Sequence, residues 1–321
     1  MTTTTVAAGV DLGGTKILGR VIDPGDPTRS LATARVDTPR GAEAVVAAVD
    51  RVLTQLESQM VEAGLGRIDA LGVGAAGLVD AEGVLRFAPN LPGIVDLDLR
   101  SGLSRWHDRR VVVDNDANCA AWAELKVGAA QGASDAILVT LGTGIGGGIV
   151  TGGKLRHGAF GFAGEPGHMI VDPDGPPCPC GRRGCWERYA SGSGLGRLAR
   201  DLAQAGRADR VVELAGGDPD DVRGEHVTAA AAAGDPDAQE VLRQFGWWVA
   251  IGVANLVNLL DPEIVVIGGR LADAGDLLLE PTRAAYAGLV LAHDHRPDVP
   301  IVGAELGADA GAIGAALLAL T

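Results

Sequence analysis

The feature that most constrains this chain is a short apolar run that opens directly into a glycine-rich segment. The apolar run covers residues 136–141 and is typical of a buried strand. Five glycines follow within the seven residues 142–148. Glycine has no side chain, so its backbone can approach a ligand closely, and N–H groups exposed in such a turn bind anions such as phosphate. The segment therefore predicts a phosphate-binding turn, with a flexible glycine-rich loop as the alternative.

A similar arrangement lies near the start of the chain. A strand predicted over residues 6–10 is followed by a glycine turn and a second apolar segment at residues 17–22. The turn reads Asp11-Leu12-Gly13-Gly14-Thr15-Lys16. Its carboxylate can hold a hydrated Mg²⁺ and its N–H groups can bind phosphate, although the spacing is not that of a Walker A loop. An ordinary hairpin is the alternative, and the repeated pattern suggests two related halves.

A dense group of polar side chains follows another strand predicted at residues 111–113. The group reads Asp114-Asn115-Asp116-Ala117-Asn118, and an amphipathic helix begins here. The C-terminal ends of strands are the usual ligand sites of α/β sheets, and a helix cap needs only one such residue. Asp116 is therefore the candidate general base, with helix capping as the alternative. Asn90 lies in a proline-bounded loop and is a second polar candidate, although asparagine is also common in turns.

Three of the four cysteines lie within eight residues, shortly after a histidine. In a cytosolic chain, reduced thiols beside a histidine favour a metal site over a disulfide. The predicted ligands are His168, Cys178, Cys180 and Cys185. This Cys₃His set is one of the closed four-ligand combinations of structural zinc. Glu165 and Glu187 lie close to these ligands in sequence and are expected to be carboxylates held in place by the metal loop, with an ordinary surface-helix glutamate as the alternative for Glu187.

Composition and charge exclude several classes of protein. The chain has 321 residues, 47% of them hydrophobic, and a net charge of −14. The length predicts about two domains. An acidic surface argues against nucleic acid or anionic membranes as partners. The first residues lack the pattern of a secretory signal, and the most apolar helical stretch, residues 247–260, is too short to span a bilayer. We therefore predict a soluble, cytoplasmic protein.

The remaining pattern is that of a mixed α/β chain. A strand predicted at residues 264–267 leads into Gly268 and Gly269, where a nucleotide base can lie against bare backbone. The last of the long helices before this strand is so apolar that deep burial is expected. Residues 202–224 are predicted to be rich in loops. Helices are predicted over residues 42–63, within 227–260 with a break near 234–236, and over 308–320.

Taken together, these motifs resemble those of the ROK family of sugar kinases and sugar-responsive repressors. The resemblance is carried by Asp11–Lys16, Asp114–Asn118, Leu141–His168, Cys178-Pro179-Cys180-Gly181 and Gly184-Cys185-Trp186-Glu187. Within the family, residues 89–92 and 164–169 are most similar to the bacterial glucokinases. The resemblance implies an α/β, actin-like (ribonuclease H-like) two-domain sugar kinase fold with a cleft between the domains. The small domain would comprise residues 1–117 plus 305–321, and the large domain residues 118–304 with the zinc loop.

The resemblance also implies a reaction and its residues. The reaction is ATP-dependent phosphorylation of glucose at the 6-hydroxyl to give glucose 6-phosphate, with catalytic Mg²⁺ and structural Zn²⁺. Asp116 would be the general base. The sugar-binding residues implied are Asn90, Asn115, Asp116, Glu165, His168 and Glu187. The ATP- and Mg²⁺-binding residues implied are Asp11, Gly13, Gly14, Thr15, Lys16, Gly142, Thr143, Gly144, Gly268 and Gly269. The metal ligands implied are His168, Cys178, Cys180 and Cys185.

Several alternatives stay open at this point. The sugar can instead be N-acetylmannosamine, N-acetylglucosamine, fructose or mannose, because one hydroxyl or methylene shifts selectivity only modestly. Polyphosphate can replace ATP as the donor. A DNA-binding repressor of the same family is disfavoured, since Asp11 lies too near the start to follow a DNA-reading region. A non-catalytic sugar-responsive regulator is disfavoured by the intact Asp116 and both phosphate turns. The family likeness also suggests a homo-oligomer, either a dimer or a tetramer.

Overall fold

The computed structural model describes residues 5–103, 106 and 108–321. These residues divide into two compact units. The first unit contains the described residues up to Ser134 together with Gly148–Gly164 and Glu305–Thr321, and the second contains Asp135–Gly147 and Glu165–Ala304. Residues 118–134 and 148–164 thus pack with the first unit. The functional domain boundaries expected from the sequence, at residues 117 and 305, stay a prediction.

The described residues form thirteen strands and ten α-helices. The strands are β1 (Ala7–Leu12), β2 (Lys16–Asp23), β3 (Asp26–Asp37), β4 (Ala70–Ala75), β5 (Leu78–Val79), β6 (Val84–Phe87), β7 (Val95–Asp98), β8 (Arg110–Asn115), β9 (Ala136–Leu141), β10 (Ile145–Thr151), β11 (Lys154–Leu155), β12 (Ile264–Gly268) and β13 (Ile301–Gly303). The helices are α1 (Ala42–Glu62), α2 (Leu99–Gly102), α3 (Asp116–Val127), α4 (Glu187–Ala190), α5 (Gly192–Gln204), α6 (Asp209–Leu214), α7 (Gly224–Ala232), α8 (Pro236–Leu260), α9 (Asp276–Ala287) and α10 (Ala310–Ala319).

The first unit is built on a five-stranded sheet of order β3-β2-β1-β4-β8. The hairpin predicted around the first glycine turn is confirmed, since β1 runs antiparallel to β2. In contrast, β1, β4 and β8 are parallel, with Leu12 opposite Ala75 and Ala75 opposite Asn115. The C-terminal ends of these three strands therefore lie level with one another. This register brings the turn after β1 and the polar cluster after β8 to the same edge of the sheet.

The C-terminal helix α10 packs directly on this sheet because two strands present glycine to it. A Cβ added at Gly9 of β1 would lie 1.8 Å from the carbonyl oxygen of Ala312, and one at Gly72 of β4 would lie 1.8 Å from that of Ala315. Helix α1 covers part of the same core with Val49, Val52 and other buried apolar residues, as its 3.6-residue periodicity predicts. The last segment of the chain is therefore part of the first unit's core.

The second unit repeats the parallel half of this plan. Strand β9 pairs in parallel with β12, and β12 pairs in parallel with β13. Strand β10 begins in the second unit and ends in the first, where it pairs with β11. The apolar helix α8 lies in the core of the second unit with Phe245, Val249 and Val253 fully buried. The repeat agrees with the two related halves suggested by the glycine turns.

Three local expectations were wrong or incomplete. Helix α6 interrupts the predicted loop-rich region of residues 202–224, because Val211 packs into the core of the unit. The short apolar run Met169-Ile170-Val171 predicts a strand after His168, but it forms only an isolated bridge between Ile170 and Cys185. Helix α8 is not buried all round, since Trp247 is 43% and Leu259 is 78% exposed. Each difference depends on packing between segments, which the hydrophobic periodicity of a short stretch of sequence cannot show.

Within the described part of the chain, no helix combines the length and apolarity needed to cross a membrane.

Candidate active site and metal cluster

The first glycine turn lies at the end of β1 and is closed by its own backbone. The N–H of Gly13 donates to the carbonyl of Lys16 at 3.1 Å. Asn90 lies directly beside this turn, because a Cβ added at Gly14 would come within 2.8 Å of the Asn90 carbonyl oxygen. Glycine at position 14 is thus needed for the loop of Asn90 to approach. Two sets of residues that the sequence associated with different ligands are neighbours in the first unit.

The polar cluster occupies the junction between β8 and α3. Asn115 is the N-cap of α3: its Oδ1 accepts the N–H of Ala117 at 2.8 Å and that of Asn118 at 3.1 Å. Its Nδ2 donates to the carbonyl of Gly77 at 3.0 Å. The capping function that was the alternative explanation for this cluster is therefore performed by Asn115. Asp116, the first residue of α3, is therefore not needed as the helix cap.

Asp116 has a carboxylate with a raised pKa. The protein around it desolvates its carboxylate and raises its pKa above the usual 3.8, although the N–H of Ala117, donating at 2.9 Å, opposes the shift. Burial and then the charge of Asp116 raise the pKa of Asp11 from 3.8 to about 7, and Lys16 opposes this shift. Asp11 and Asp116 are therefore close enough to repel. A raised pKa makes this carboxylate a better proton acceptor than an exposed aspartate.

His157 contacts the junction between β8 and α3 through Asp114. Asp114 is only 8% exposed, and its Oδ1 accepts the N–H of Asn115 at 2.7 Å and Nδ2 of Asn118 at 3.0 Å. Its Oδ2 lies 2.7 Å from Nε2 of His157, in the loop after β11. The hydrogen bond to Asp114 raises the pKa of His157 above 6.5, and partial burial opposes the rise. No local pattern in the sequence points to His157, because its partner is 43 residues away.

The second glycine turn, in the second unit, lies beside Glu187. The N–H of Gly142 donates to the carbonyl of Gly144 at 3.0 Å, and the N–H of Gly192 donates to the carbonyl of Gly142 at 2.8 Å. A Cβ added at Gly144 would be 2.9 Å from Oε2 of Glu187. The turn is thus closed by backbone hydrogen bonds and approaches a carboxylate that the sequence had assigned to sugar binding.

The four predicted metal ligands converge on one point. The ligand atoms of His168, Cys178, Cys180 and Cys185 all lie within 4.8 Å of one another. The loop is closed by the N–H of Cys178, which donates to the Arg182 carbonyl at 2.8 Å.

The cluster fits zinc in donor chemistry and in size. Bonds of about 2.3 Å from thiolate to a tetrahedral Zn²⁺ place two sulfurs about 3.8 Å apart. The sulfurs of Cys180 and Cys185 are 3.6 Å apart. Three thiolates and one imidazole also satisfy the preference of Zn²⁺ for sulfur and nitrogen ligands. The predicted Cys₃His cluster is therefore formed, with a geometry compatible with structural zinc.

The predicted sugar-binding residues of the second unit lie around this cluster. Oε1 of Glu187 lies 3.0 Å from Sγ of Cys178 and 3.8 Å from Nδ1 of His168. Glu165 immediately precedes the 3₁₀ turn that carries His168, and the N–H of His168 donates to its carbonyl at 3.2 Å. One metal ion would therefore fix His168 directly and, through the backbone of its ligand Cys185, the segment that carries Glu187 two residues later.

The second unit also contains a cavity of about 770 Å³. Gly142 and Thr143 line it together with apolar side chains such as Leu271 and Leu277. Arg270 lines it as well and directly follows Gly268 and Gly269. Gly269 has a φ of +82°, and a Cβ there would lie 2.5 Å from the Leu141 carbonyl, so only glycine lets these two strand ends meet. The cavity is continuous with the glycine turn and has the mixed lining of a ligand pocket.

Comparison with known proteins identifies the family. The model of the ROK family matches residues 7–321. The chain belongs to the ROK family. It is 42% identical over 319 residues to a glucokinase of Streptomyces coelicolor, with 97% of this chain and 96% of that protein covered. It is 41% identical to a ROK family glucokinase of Streptomyces griseus solved with glucose and AMPPNP, with 98% and 99% of the two chains covered and a TM-score of 0.86.

A further solved relative is a ROK hexokinase of Thermus thermophilus, at 37% identity and a TM-score of 0.77, with 98% of each chain covered. These neighbours confirm the predicted fold class, an α/β two-domain sugar kinase fold of the actin-like type. In this ROK protein, Asp11, Asn90, Asn115 and Asp116 lie in the first unit. Glu165, His168, Glu187 and the second glycine turn lie in the second unit. The predicted site residues thus form one group in each unit.

Proposed function

We propose that this ROK protein phosphorylates glucose at its 6-hydroxyl, with ATP as the phosphoryl donor, to give glucose 6-phosphate. The observation that carries the proposal is the likeness, over almost the whole of both chains, to the Streptomyces griseus glucokinase that binds glucose and AMPPNP. A glucokinase of Streptomyces coelicolor is similar over nearly its entire length as well. The enzyme is a hexokinase-type phosphotransferase.

Asp116 is proposed as the general base. The 6-hydroxyl oxygen forms a bond to the γ-phosphorus, the bond from that phosphorus to the leaving ADP oxygen breaks, and the hydroxyl proton passes to the Asp116 carboxylate. A raised pKa suits this step, because a base is most effective when its pKa is closer to the working pH.

The remaining sugar contacts are proposed on the family likeness. Asn90 and Asn115 would supply amide groups. Glu165, His168 and Glu187 would supply carboxylate and imidazole groups. Paired carboxylates suit vicinal hydroxyls, because each oxygen can accept a hydrogen bond from a different hydroxyl. The position of Glu187 beside Cys178 and His168 means that a rigid zinc loop supports this half of the sugar site.

The two glycine turns are proposed to hold the triphosphate. The residues proposed are Asp11, Gly13, Gly14, Thr15 and Lys16 of the first turn and Gly142, Thr143 and Gly144 of the second. Phosphoryl transfer needs positioning and charge neutralisation more than covalent chemistry, and Mg²⁺, when bound, supplies much of that neutralisation. The adenosine is proposed to occupy the 770 Å³ cavity past Gly268 and Gly269, where apolar side chains can cover the base.

The zinc cluster has a structural role in this proposal. Its four ligands belong to the protein and leave no open position for a catalytic water. The small-domain and large-domain boundaries at residues 117 and 305 and a dimeric or tetrameric assembly are proposed as well, on the family likeness. Both are accessible to limited proteolysis and to light scattering of the purified protein.

One assay tests the proposed reaction. Purified protein is given glucose, mannose, fructose, N-acetylglucosamine or N-acetylmannosamine, each with Mg-ATP or with polyphosphate, and sugar phosphate formation is measured. Glucose with ATP is expected to give the highest kcat/KM. A higher kcat/KM for another sugar would reassign the substrate, turnover only with polyphosphate would reassign the donor, and no turnover with any pair would overturn the kinase function.

A further inference from the structure

We propose that His157 is a positioning residue for the general base, acting on Asp116 through the buried carboxylate of Asp114. The inference rests on the proposed function, because it concerns the proton transfer assigned to Asp116. The relevant residues all belong to the first unit.

A continuous series of hydrogen bonds joins His157 to the start of α3. An ionised carboxylate only accepts hydrogen bonds, so Nε2 of His157 donates to Oδ2 of Asp114 at 2.7 Å. Oδ1 of Asp114 accepts from the backbone of Asn115 and the side chain of Asn118. These two residues flank Asp116, one position before it and two after it. The Asp114 carboxylate thus holds both sides of the base.

Asp114 is committed to this structural task and not to substrate. It is 8% exposed, and its two oxygens accept three hydrogen bonds from the protein. Oδ2 has His157 as its partner, so loss of the imidazole leaves a buried carboxylate oxygen without its donor. An unsatisfied buried acceptor is costly, and the carboxylate is expected to turn towards another donor or towards water. Either movement shifts the Asn115–Asn118 turn and with it Asp116.

The loop that carries His157 is itself anchored, so its imidazole can hold the Asp114 carboxylate in place. The carbonyl of His157 accepts the N–H of Ala163 at 3.0 Å, and the N–H of Ala81 donates to the carbonyl of Phe160 at 3.2 Å. Gly161 has a φ of +93°, and a Cβ there would lie 2.5 Å from the nitrogen of Ala81, so the loop packs tightly on the turn after β5.

Asp114 is the charged partner of the His157 ring. Asp80, in the turn against which the loop packs, is paired with Arg86 at 2.6 Å and accepts two backbone N–H groups. Asp114 is the charged group that acts on His157. The pair is therefore a specific contact between two segments that are distant in sequence.

The kinetic test compares two substitutions of His157 and one control. His157→Phe keeps a ring but removes the donor, whereas His157→Gln keeps an N–H near the position of Nε2. His295→Gln, at an exposed histidine of the second unit, is the control. We expect His157→Phe to lower kcat by about 10- to 100-fold, the scale of a misplaced catalytic group, with smaller changes in the KM for glucose and ATP. His157→Gln should recover most of the loss, and His295→Gln should match the wild type.

A spectroscopic test does not depend on turnover or on a stable variant. In the wild-type protein, NMR titration is expected to show that the His157 ring has a pKa above 6.5. The signal of this ring should be absent from His157→Gln, and its pKa should fall in Asp114→Asn. A His157 pKa at or below 6.5 would overturn the pairing.

The outcomes separate this role from the proposed reaction. An active wild type with an equally active His157→Phe, or a His157→Gln as impaired as His157→Phe, overturns the positioning role and leaves the kinase function intact. A rise in KM alone overturns it as well, because a displaced base lowers kcat. A wild type that phosphorylates no hexose overturns both.

Discussion

The indole ring of Trp186 lies against the bare backbone of Gly252, in the second half of α8. A Cβ at residue 252 would come within 2.0 Å of the ring. Nε1 of Trp186 donates to the carbonyl of Trp248, one turn earlier in the helix, at 2.7 Å. Trp186 is fully buried and directly precedes Glu187. Because residue 252 has no side chain, the ring of Trp186 can pack against α8, and this packing positions the adjacent Glu187.

Gly252→Ala is expected to lower stability and weaken glucose binding. Alanine favours a helix over glycine by about 1 kcal/mol, but overpacking a core costs about 1–3 kcal/mol. The displaced indole should also move Glu187 and raise the KM for glucose. Thermal unfolding and steady-state kinetics measure both effects. Gly288→Ala is the matched control, because its Cβ would meet nothing closer than the Ala285 carbonyl oxygen at 3.7 Å. A Gly252→Ala protein with wild-type Tm and KM would refute the contact's importance.

Asp116→Asn is expected to lower kcat by at least about 100-fold, because an amide cannot accept the hydroxyl proton. Folding raises the pKa of Asp116, so the ionised carboxylate destabilises the folded state at any pH above its unfolded pKa. The neutral amide should therefore leave Tm unchanged or higher. Kinetics, glucose binding by calorimetry and thermal unfolding separate the two effects. Asp294→Asn, on the surface, serves as the control. Near-normal turnover with asparagine at 116 would rule out this base.

The activity of the wild type is expected to fall on the acid side. Asp116 acts as a base only when ionised, and its raised pKa moves this requirement above the usual value of 3.8. A profile of kcat/KM from about pH 4 to about pH 8 should show this fall towards low pH. The residual activity of Asp116→Asn should show no such fall. Burial and the charge of Asp116 raise the pKa of Asp11 to about 7, so a fall in activity that persists in this variant at lower pH would report Asp11 instead. A flat profile while the protein stays folded would contradict the assignment.

The purified protein is expected to contain about one zinc per chain, measured by elemental analysis. Cys180→Ser should lose the metal with little direct packing cost, because Cys180 is exposed. Its Tm should fall, and its KM for glucose should rise more than its KM for ATP, because His168 and Glu187 are proposed sugar contacts. Cys119→Ser, in the first unit, should keep its zinc. A metal-free wild type would disprove the site.

The motifs proposed to carry the chemistry are local in sequence, which is why the sequence alone could indicate them. The Asp11 turn, Asp116 and the cysteine loop each occupy a few consecutive residues. Their spacing reflects the turn that they form. Even the convergence of His168 with the cysteines follows from a short separation along the chain. The helix predicted at residues 42–63 is confirmed for the same reason, because its periodicity is contained in its own sequence.

The contacts that hold these motifs in place could not be predicted in this way. The hydrogen bond between Trp186 and Trp248 spans 62 residues, and that between His157 and Asp114 spans 43. In the sequence, Gly252 looks like a residue that only weakens the helix. The structure shows that glycine is needed there because the ring of Trp186, from another segment, occupies the space of a side chain. Helix α6 was missed because burial of Val211, and not local propensity, stabilises it.

The cavity of the second unit gives a test of the donor site that leaves the sugar site untouched. Ala229 of α7 lines this cavity and has an accessible side chain. Ala229→Trp should fill part of the space proposed for adenosine and raise the KM for ATP by at least about 10-fold, which corresponds to about 1.4 kcal/mol of lost binding. The KM for glucose should change little. Ala233→Trp is the control, because Ala233 is exposed just after α7 and does not line the cavity. An unchanged KM for ATP in Ala229→Trp would place the adenosine elsewhere, whereas equal losses for both substrates would indicate damage to the fold.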